Sequence, residues 1–151
     1  MTNSYLPVDD GGIPTTTKPA TYPKFEAKKP FTLGPAEPDV DDCFVLDDSP
    51  PSSVPLDSRA RPLTRLVAAH HPVSGIHLEV YSTEPAFQFY TGKYIDVPAV
   101  GGAAARGARS GFCVEPSRYV NALNVPEWKG QTLLKKGQTY GARIVYKAWK
   151  E

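Results

Sequence analysis

The sequence has no apolar run long enough to cross a bilayer. Its first residues, Met1 to Asp10, are polar and acidic and carry no basic-then-apolar pattern of a secretion signal. Cysteine is scarce. Cys43 and Cys113 are the only 2, which excludes a disulfide framework and a cysteine-based zinc site and suits a reducing, cytoplasmic compartment. Charge of one sign is also lacking. A formal net charge of +1 gives no global field that would recruit nucleic acid or an anionic membrane surface. There is no G-x-S-x-G, no phosphate-binding glycine loop, no G-x-G-x-x-G and no C-x-x-C, so hydrolase, nucleotide and metal readings have no motif support. Internal repeats and convincing amphipathic helices are absent as well.

Proline and tyrosine are abundant. Sixteen prolines in 151 residues is about twice the usual rate, and the 8 tyrosines with many Val and Thr favour strands separated by turns. Residues 1–38 are expected to be an extended loop segment, because Pro19, Pro23, Pro30, Pro35 and Pro38 forbid a helix or a central strand; Phe25 and Phe31 would anchor it. A strand-rich core is expected over residues 39–151. Asp41 to Leu46 reads as a short apolar strand entered through paired acids, and Asp47 to Ser58 as the site of disorder or insertion. Thr64–His70 and Ile76–Thr83 flank a Pro72–Gly75 turn and form a hairpin, with Ile76, Leu78 and Val80 inward and His77, Glu79 and Tyr81 outward. Further strands are expected at Ala86–Tyr90, Ser110–Val114, Gln131–Lys135 and Tyr140–Trp149, with a flexible Gly/Ala-rich stretch over Val97–Arg106. Pro116, lacking an N–H, should end ladder pairing. The fold class is all-β, a sandwich or barrel.

Few residues offer chemistry. Glu115, at a strand end among apolar neighbours and beside an arginine, is a candidate positioned acid or base, or else a glutamate on a solvated face. Asp41 and Asp42 are an acidic turn or the source of one ligand entering a cleft. Gln88, between Phe87 and Phe89, contacts a sugar hydroxyl or merely alternates outward. His70 and His71 are adjacent on a strand, point to opposite faces and do not readily serve one metal. His77 falls on the outward face of its strand, where no role is assigned to it.

The order of short segments resembles the C-terminal half of the aldose 1-epimerase (galactose mutarotase) family. The segments are Tyr5-Leu6-Pro7-Val8-Asp9-Asp10 with Ile13-Pro14-Thr15; Asp41-Asp42-Cys43-Phe44; Ser74-Gly75-Ile76 through Val80; Thr83-Glu84-Pro85 with Gln88-Phe89-Tyr90-Thr91-Gly92; Ser110 through Glu115-Pro116; and Leu134 through Gly137 to Tyr140. Gly92-Lys93-Tyr94-Ile95-Asp96 and Glu115-Pro116-Ser117-Arg118-Tyr119 look most like fungal members. The resemblance implies a large β-supersandwich of antiparallel strands, of which residues 1–151 would be the C-terminal portion of a single domain. It implies interconversion of the α and β anomers of free aldoses such as galactose or glucose, with no cofactor and no metal. A base takes the anomeric hydroxyl proton, an acid protonates the ring oxygen, and the opened chain rotates and recloses. Glu115 matches the family's base; Asp41 and Gln88 match its sugar ligands.

The family's acid is a histidine upstream of the Tyr-x-Pro-Val-Asp segment, and His70, His71 and His77 do not match it. Thr16 stands where members usually carry glycine after Ile-Pro-Thr. The expectation is therefore an incomplete, catalytically impaired form of the enzyme. The alternative is a non-catalytic carbohydrate-binding remnant, or one that self-associates through uncovered strand edges.

Overall fold

Alternation of apolar and polar residues along short segments builds two antiparallel sheets, which a computed structural model describes for residues 1–46 and 53–151. The strands are β1 (Ser4–Tyr5), β2 (Ala20–Thr21), β3 (Asp41–Val45), β4 (Thr64–His71), β5 (Ile76–Ser82), β6 (Ala86–Tyr90), β7 (Cys113–Ser117) and β8 (Ile144–Lys150). One sheet is five-stranded, in the order β2-β1-β3-β6-β7; the other is three-stranded, β4-β5-β8. The expected all-β class is what the chain adopts. Of the stretch expected to be disordered or inserted, Asp47 to Ser58, residues 47–52 lie outside the described residues.

The aromatic residues of β3 and β6 decide where the sheets meet. Phe44, Phe87, Phe89 and Val114 point from the five-stranded sheet toward Leu66, Val67 and Val80 of the other. Phe44 and Phe87 stack at 5.6 Å. Leu66 and Val67 are consecutive yet both buried, which a strict period of two forbids. A register shift between Arg65 and Val67 reconciles them, one extra residue turning the strand. Residues 1–38 are mostly irregular but not detached. Tyr22 and Ala27 are buried in this core, with Phe25 and Phe31 packed against it at 4.3 Å from each other.

The five-stranded sheet carries a second core on its other face. Cys43, Val45 and Ala86 are covered there by Leu6, Tyr119, Ala122 and Trp128. Trp128 and Gln131 are both fully buried three positions apart. That spacing suits the 3₁₀ turn found at Lys129–Gln131 and not the strand expected over Gln131–Lys135, which does not form. The last strand also starts later than expected, at Ile144. Gly141 is instead held by a bridge to Asp57, and the Tyr140 hydroxyl donates to Glu84 Oε1.

The strand expected to end before Pro116 runs through it, with Pro116 opposite Phe87. β7 is an edge strand, and every second residue turns its N–H and C=O away from β6. Pro116 occupies one of those outward positions, so no ladder bond is lost. Val114 shares that orientation, and its carbonyl accepts the Tyr146 hydroxyl from β8 at 2.7 Å.

A buried ion pair fastens the far end of the strands. Glu84 and Arg118 meet at 2.8 Å with side chains 1% and 8% exposed. Arg118 also donates to the Pro55 and Leu56 carbonyls, both at 2.9 Å. One guanidinium thus ties the β5–β6 turn, the segment after β7 and the segment preceding β4.

Removing one partner of such a pair leaves a buried charge uncompensated. Glu84→Gln is expected to lower unfolding free energy by about 3 kcal/mol, read as a lower denaturant midpoint at unchanged slope. The two thiols should also differ. Burial pushes the Cys43 thiol up to about 11, only partly opposed by a backbone hydrogen bond from Val120, whereas Cys113 is half-buried. Thiolate is the reactive form. Near neutral pH a disulfide reagent should therefore titrate Cys113 in the native protein and Cys43 only on unfolding. The raised value works for stability below the ordinary thiol range. That contribution should fade as pH rises from the ordinary thiol range through about 11, seen as an alkaline fall in melting temperature that is shallower in Cys43→Ala over this range.

Candidate functional site

Three neighbouring strands place the candidate residues. In the pairing of β3, β6 and β7, Cys43 lies opposite Gln88, and Gln88 opposite Glu115. One step along, Asp41 lies opposite Tyr90, and Tyr90 opposite Cys113. Side chains of alternate residues share a face, so Asp41, Cys43, Gln88, Tyr90, Cys113 and Glu115 all project from the side opposite the aromatic core. Glu115, Asp41 and Gln88, three residues distant in sequence, therefore come together on one surface. Gln88 is the middle member. Its Nε2 donates to Asp41 Oδ1 at 2.9 Å, which fixes the amide and leaves its carbonyl oxygen free to accept. Asp41 and Glu115 are exposed and Gln88 is half-buried.

The paired acids separate into two roles. Asp42 turns to the opposite face, where the Tyr22 hydroxyl donates to it at 2.8 Å and Lys24 pairs with it at 3.2 Å. Burial and the bond to Asp42 hold the Tyr22 phenol well above its ordinary value. Asp42 thus ties the N-terminal segment to β3, and only Asp41 faces the candidate site.

The rim is built by the β6–β7 connection. Asp39 pairs with Arg109 and, at 3.1 Å, with Lys93. The hydrogen bond from Arg109 holds the Asp39 carboxyl below the usual carboxylate range, with Lys93 adding to it. Gly92, at φ 78°, packs against the Gly111 carbonyl where a Cβ would collide, so this crossing needs glycine. The Tyr90 hydroxyl accepts the Tyr94 backbone N–H at 2.6 Å. Beyond it, bridges Val97–Arg106 and Val100–Ala103 shape as a hairpin the Gly/Ala-rich stretch that composition alone reads as flexible. The arginine expected beside Glu115 is committed elsewhere: Arg109 pairs with Asp39 and Arg118 with Glu84.

Two residues next to the site escaped the sequence reading. Tyr90 shares the face of Gln88, and strict alternation in β6 carries that signal. Tyr146 arrives from the other sheet, and nothing local indicates it. Burial, and then the nearby Glu115 and Cys113 side chains, push its phenol up. His70, His71 and His77 lie on β4 and β5, in the other sheet, and none reaches this face. The surface offers two carboxylates flanking an amide, a group suited to hydroxyl-rich ligands and to taking up a proton. Among the described residues, no group of three or more His, Cys, Asp or Glu side chains converges on a metal position, and no helix is long and apolar enough to cross a membrane.

Comparison with known proteins bears on the family and the fold. The family model described as aldose 1-epimerase matches residues 1–147. The chain is 36% identical over 148 residues to the bifunctional protein GAL10 of Kluyveromyces lactis, covering 97% of this chain and 19% of that protein. It is 35% identical over 140 residues to human galactose mutarotase, covering 91% of this chain and 39% of the relative. The crystal structure of a GalM/aldose epimerase homologue from C. elegans superposes with a TM-score of 0.72 at 19% identity, over 99% of this chain and 44% of that one, which shows the shared fold. The chain thus spans less than half the length of these relatives. With nearly its whole length matched, it belongs to the aldose 1-epimerase family.

Proposed function

We propose that this chain is the C-terminal portion of a mutarotase-like domain and carries the base and part of the sugar-binding surface of an aldose 1-epimerase. The observation that supports it is the shared face of Asp41, Gln88 and Glu115 on adjacent strands. In this reading Asp41 and Gln88 hold hydroxyls of a free aldose such as galactose or glucose. Glu115 takes the proton of the anomeric hydroxyl as electrons move to open the ring. The aldehyde forms, the C1–C2 bond turns, and reclosure on the other face returns the proton from Glu115. The ring oxygen needs an acid, and no histidine of the 151 residues lies on this face. That proton donor must come from elsewhere in a complete site, so the chain by itself would be impaired in catalysis. Its two unpaired thiols suit a cytoplasmic setting.

Sugar binding and turnover test the two roles separately. Galactose titrated into the chain, followed by amide shifts of β3, β6 and β7, should bind weakly, and Asp41→Asn should weaken it about tenfold, the worth of one charge-assisted hydrogen bond. Polarimetry on freshly dissolved α-D-galactose then reads turnover. Glu115→Gln should return any catalysed rate to the uncatalysed one while binding persists. A variant that keeps the catalysed rate removes Glu115 from the base role.

A second reading, a non-catalytic remnant that binds sugar or pairs with another copy through strand edges, is favoured by a different observation. β8 lies at a sheet edge with Ile144, Val145 and Tyr146 exposed by 46%, 41% and 57%. On this reading sedimentation shows a concentration-dependent dimer that Val145→Lys returns to monomer. A monomer at all concentrations eliminates edge pairing.

A further inference from the structure

The β4–β5 hairpin brings together two histidines that sequence spacing keeps apart. His70 and His77 lie directly opposite each other across the strands, and Trp149 of β8 continues the row on the far side of His77. The His70 and His77 rings stack at 5.6 Å with an interplanar angle of 21°, and His77 stacks on Trp149 at 5.0 Å and 13°. All three stand on the outer face of the three-stranded sheet, the face away from the aromatic core. His70 is exposed and His77 half-buried.

From this stack the geometry points to a surface site for a divalent transition-metal ion, of the copper, nickel or zinc type, held by the imidazoles of His70 and His77 with water completing the shell. Neutral imidazole is a donor that these borderline ions prefer over the oxygen-seeking magnesium and calcium. Metal–nitrogen bonds of about 2 Å require the two donor atoms to come within about 4 Å of each other. The rings stand 5.6 Å apart at their centroids, and each must turn about its side-chain bonds to aim a nitrogen at a common ion. Trp149 stacks on the other face of His77, and Lys147 in turn lies over the Trp149 ring at 4.6 Å.

Local charge favours a cation. Glu151 Oε2 sits 3.4 Å from His77 Nε2 and places a carboxylate beside the pair. The cations on this face, Arg65 and Lys147, are drawn to Glu79, at 3.0 Å and 3.9 Å. His71 takes no part. It is opposite Ile76, on the other side of the strand, with Nδ1 at 2.8 Å from the Ser74 hydroxyl. The site is independent of the Asp41–Gln88–Glu115 surface, which lies on the other sheet.

Copper(II) chloride alone is the probe, titrated calorimetrically near neutral pH into Cys113→Ser protein so that the accessible thiol does not reduce it. One equivalent should bind, with electron paramagnetic resonance showing two coordinated imidazole nitrogens. His70→Gln and His77→Gln should each weaken binding at least tenfold, because either leaves a single ligand, and His71→Gln should leave it unchanged. The expected binding also raises the melting temperature of the parent protein but of neither single variant, which separates loss of a ligand from loss of fold. Affinity retained in either the His70 or the His77 variant, binding that depends on His71, or no binding below about millimolar copper would each overturn the assignment.

Discussion

The pairing of β3, β6 and β7 is the constraint on which the rest of the candidate site depends. Side chains repeat every two residues, so a slip of one position in β6 would send Gln88 into the aromatic core and Phe87 or Phe89 onto the open face. Burial of Phe44, Phe87 and Phe89 opposes that slip, because each ring removes a large apolar area from water. The hydrophobic demand on one face thereby sets the polar arrangement on the other. Asp41, Gln88 and Glu115 are aligned by residues whose side chains lie on the opposite face.

The two ends of the sheet are stabilised by different physics. Around Asp39, Arg109 and Lys93 the ion pairs are partly exposed and screened, and their contribution is mainly to shape the rim. Around Glu84 and Arg118 the charges are buried and paired, with Tyr140 donating to Glu84 and Arg118 donating to the Pro55 and Leu56 carbonyls, which ties distant segments into one arrangement. Thr83-Glu84-Pro85 helped carry the family resemblance, and its glutamate serves architecture here. Glu115 lies on the edge strand β7 and projects from the open face.

Strand existence was legible wherever alternation was clean. Ile76 to Ser82 and Ala86 to Tyr90 form as their patterns require, and so does the turn at Gly75, which takes φ 67°. Legibility failed where one local rule had two outcomes. Pro116 was expected to stop the ladder, but an edge strand has outward positions that need no N–H. Apolar residues near Leu133 suggested a strand, while the burial of Trp128 and Gln131 demanded a period of three. Arg118 looked like a neighbour for Glu115 by sequence and turned instead to Glu84.

For the site, the chain alone determined the candidates: a glutamate before proline, a glutamine between phenylalanines, an aspartate at a strand entrance, and an ordered set of segments that names a family. Those are local facts of residue type and period. Only the tertiary structure decided that the three share one surface, that Asp42 belongs to the other side, that Tyr146 crosses from the second sheet, and that His70 meets His77. Each of these depends on which strands become neighbours and in what register. That is settled by long-range burial of the cores, which no stretch of sequence encodes by itself.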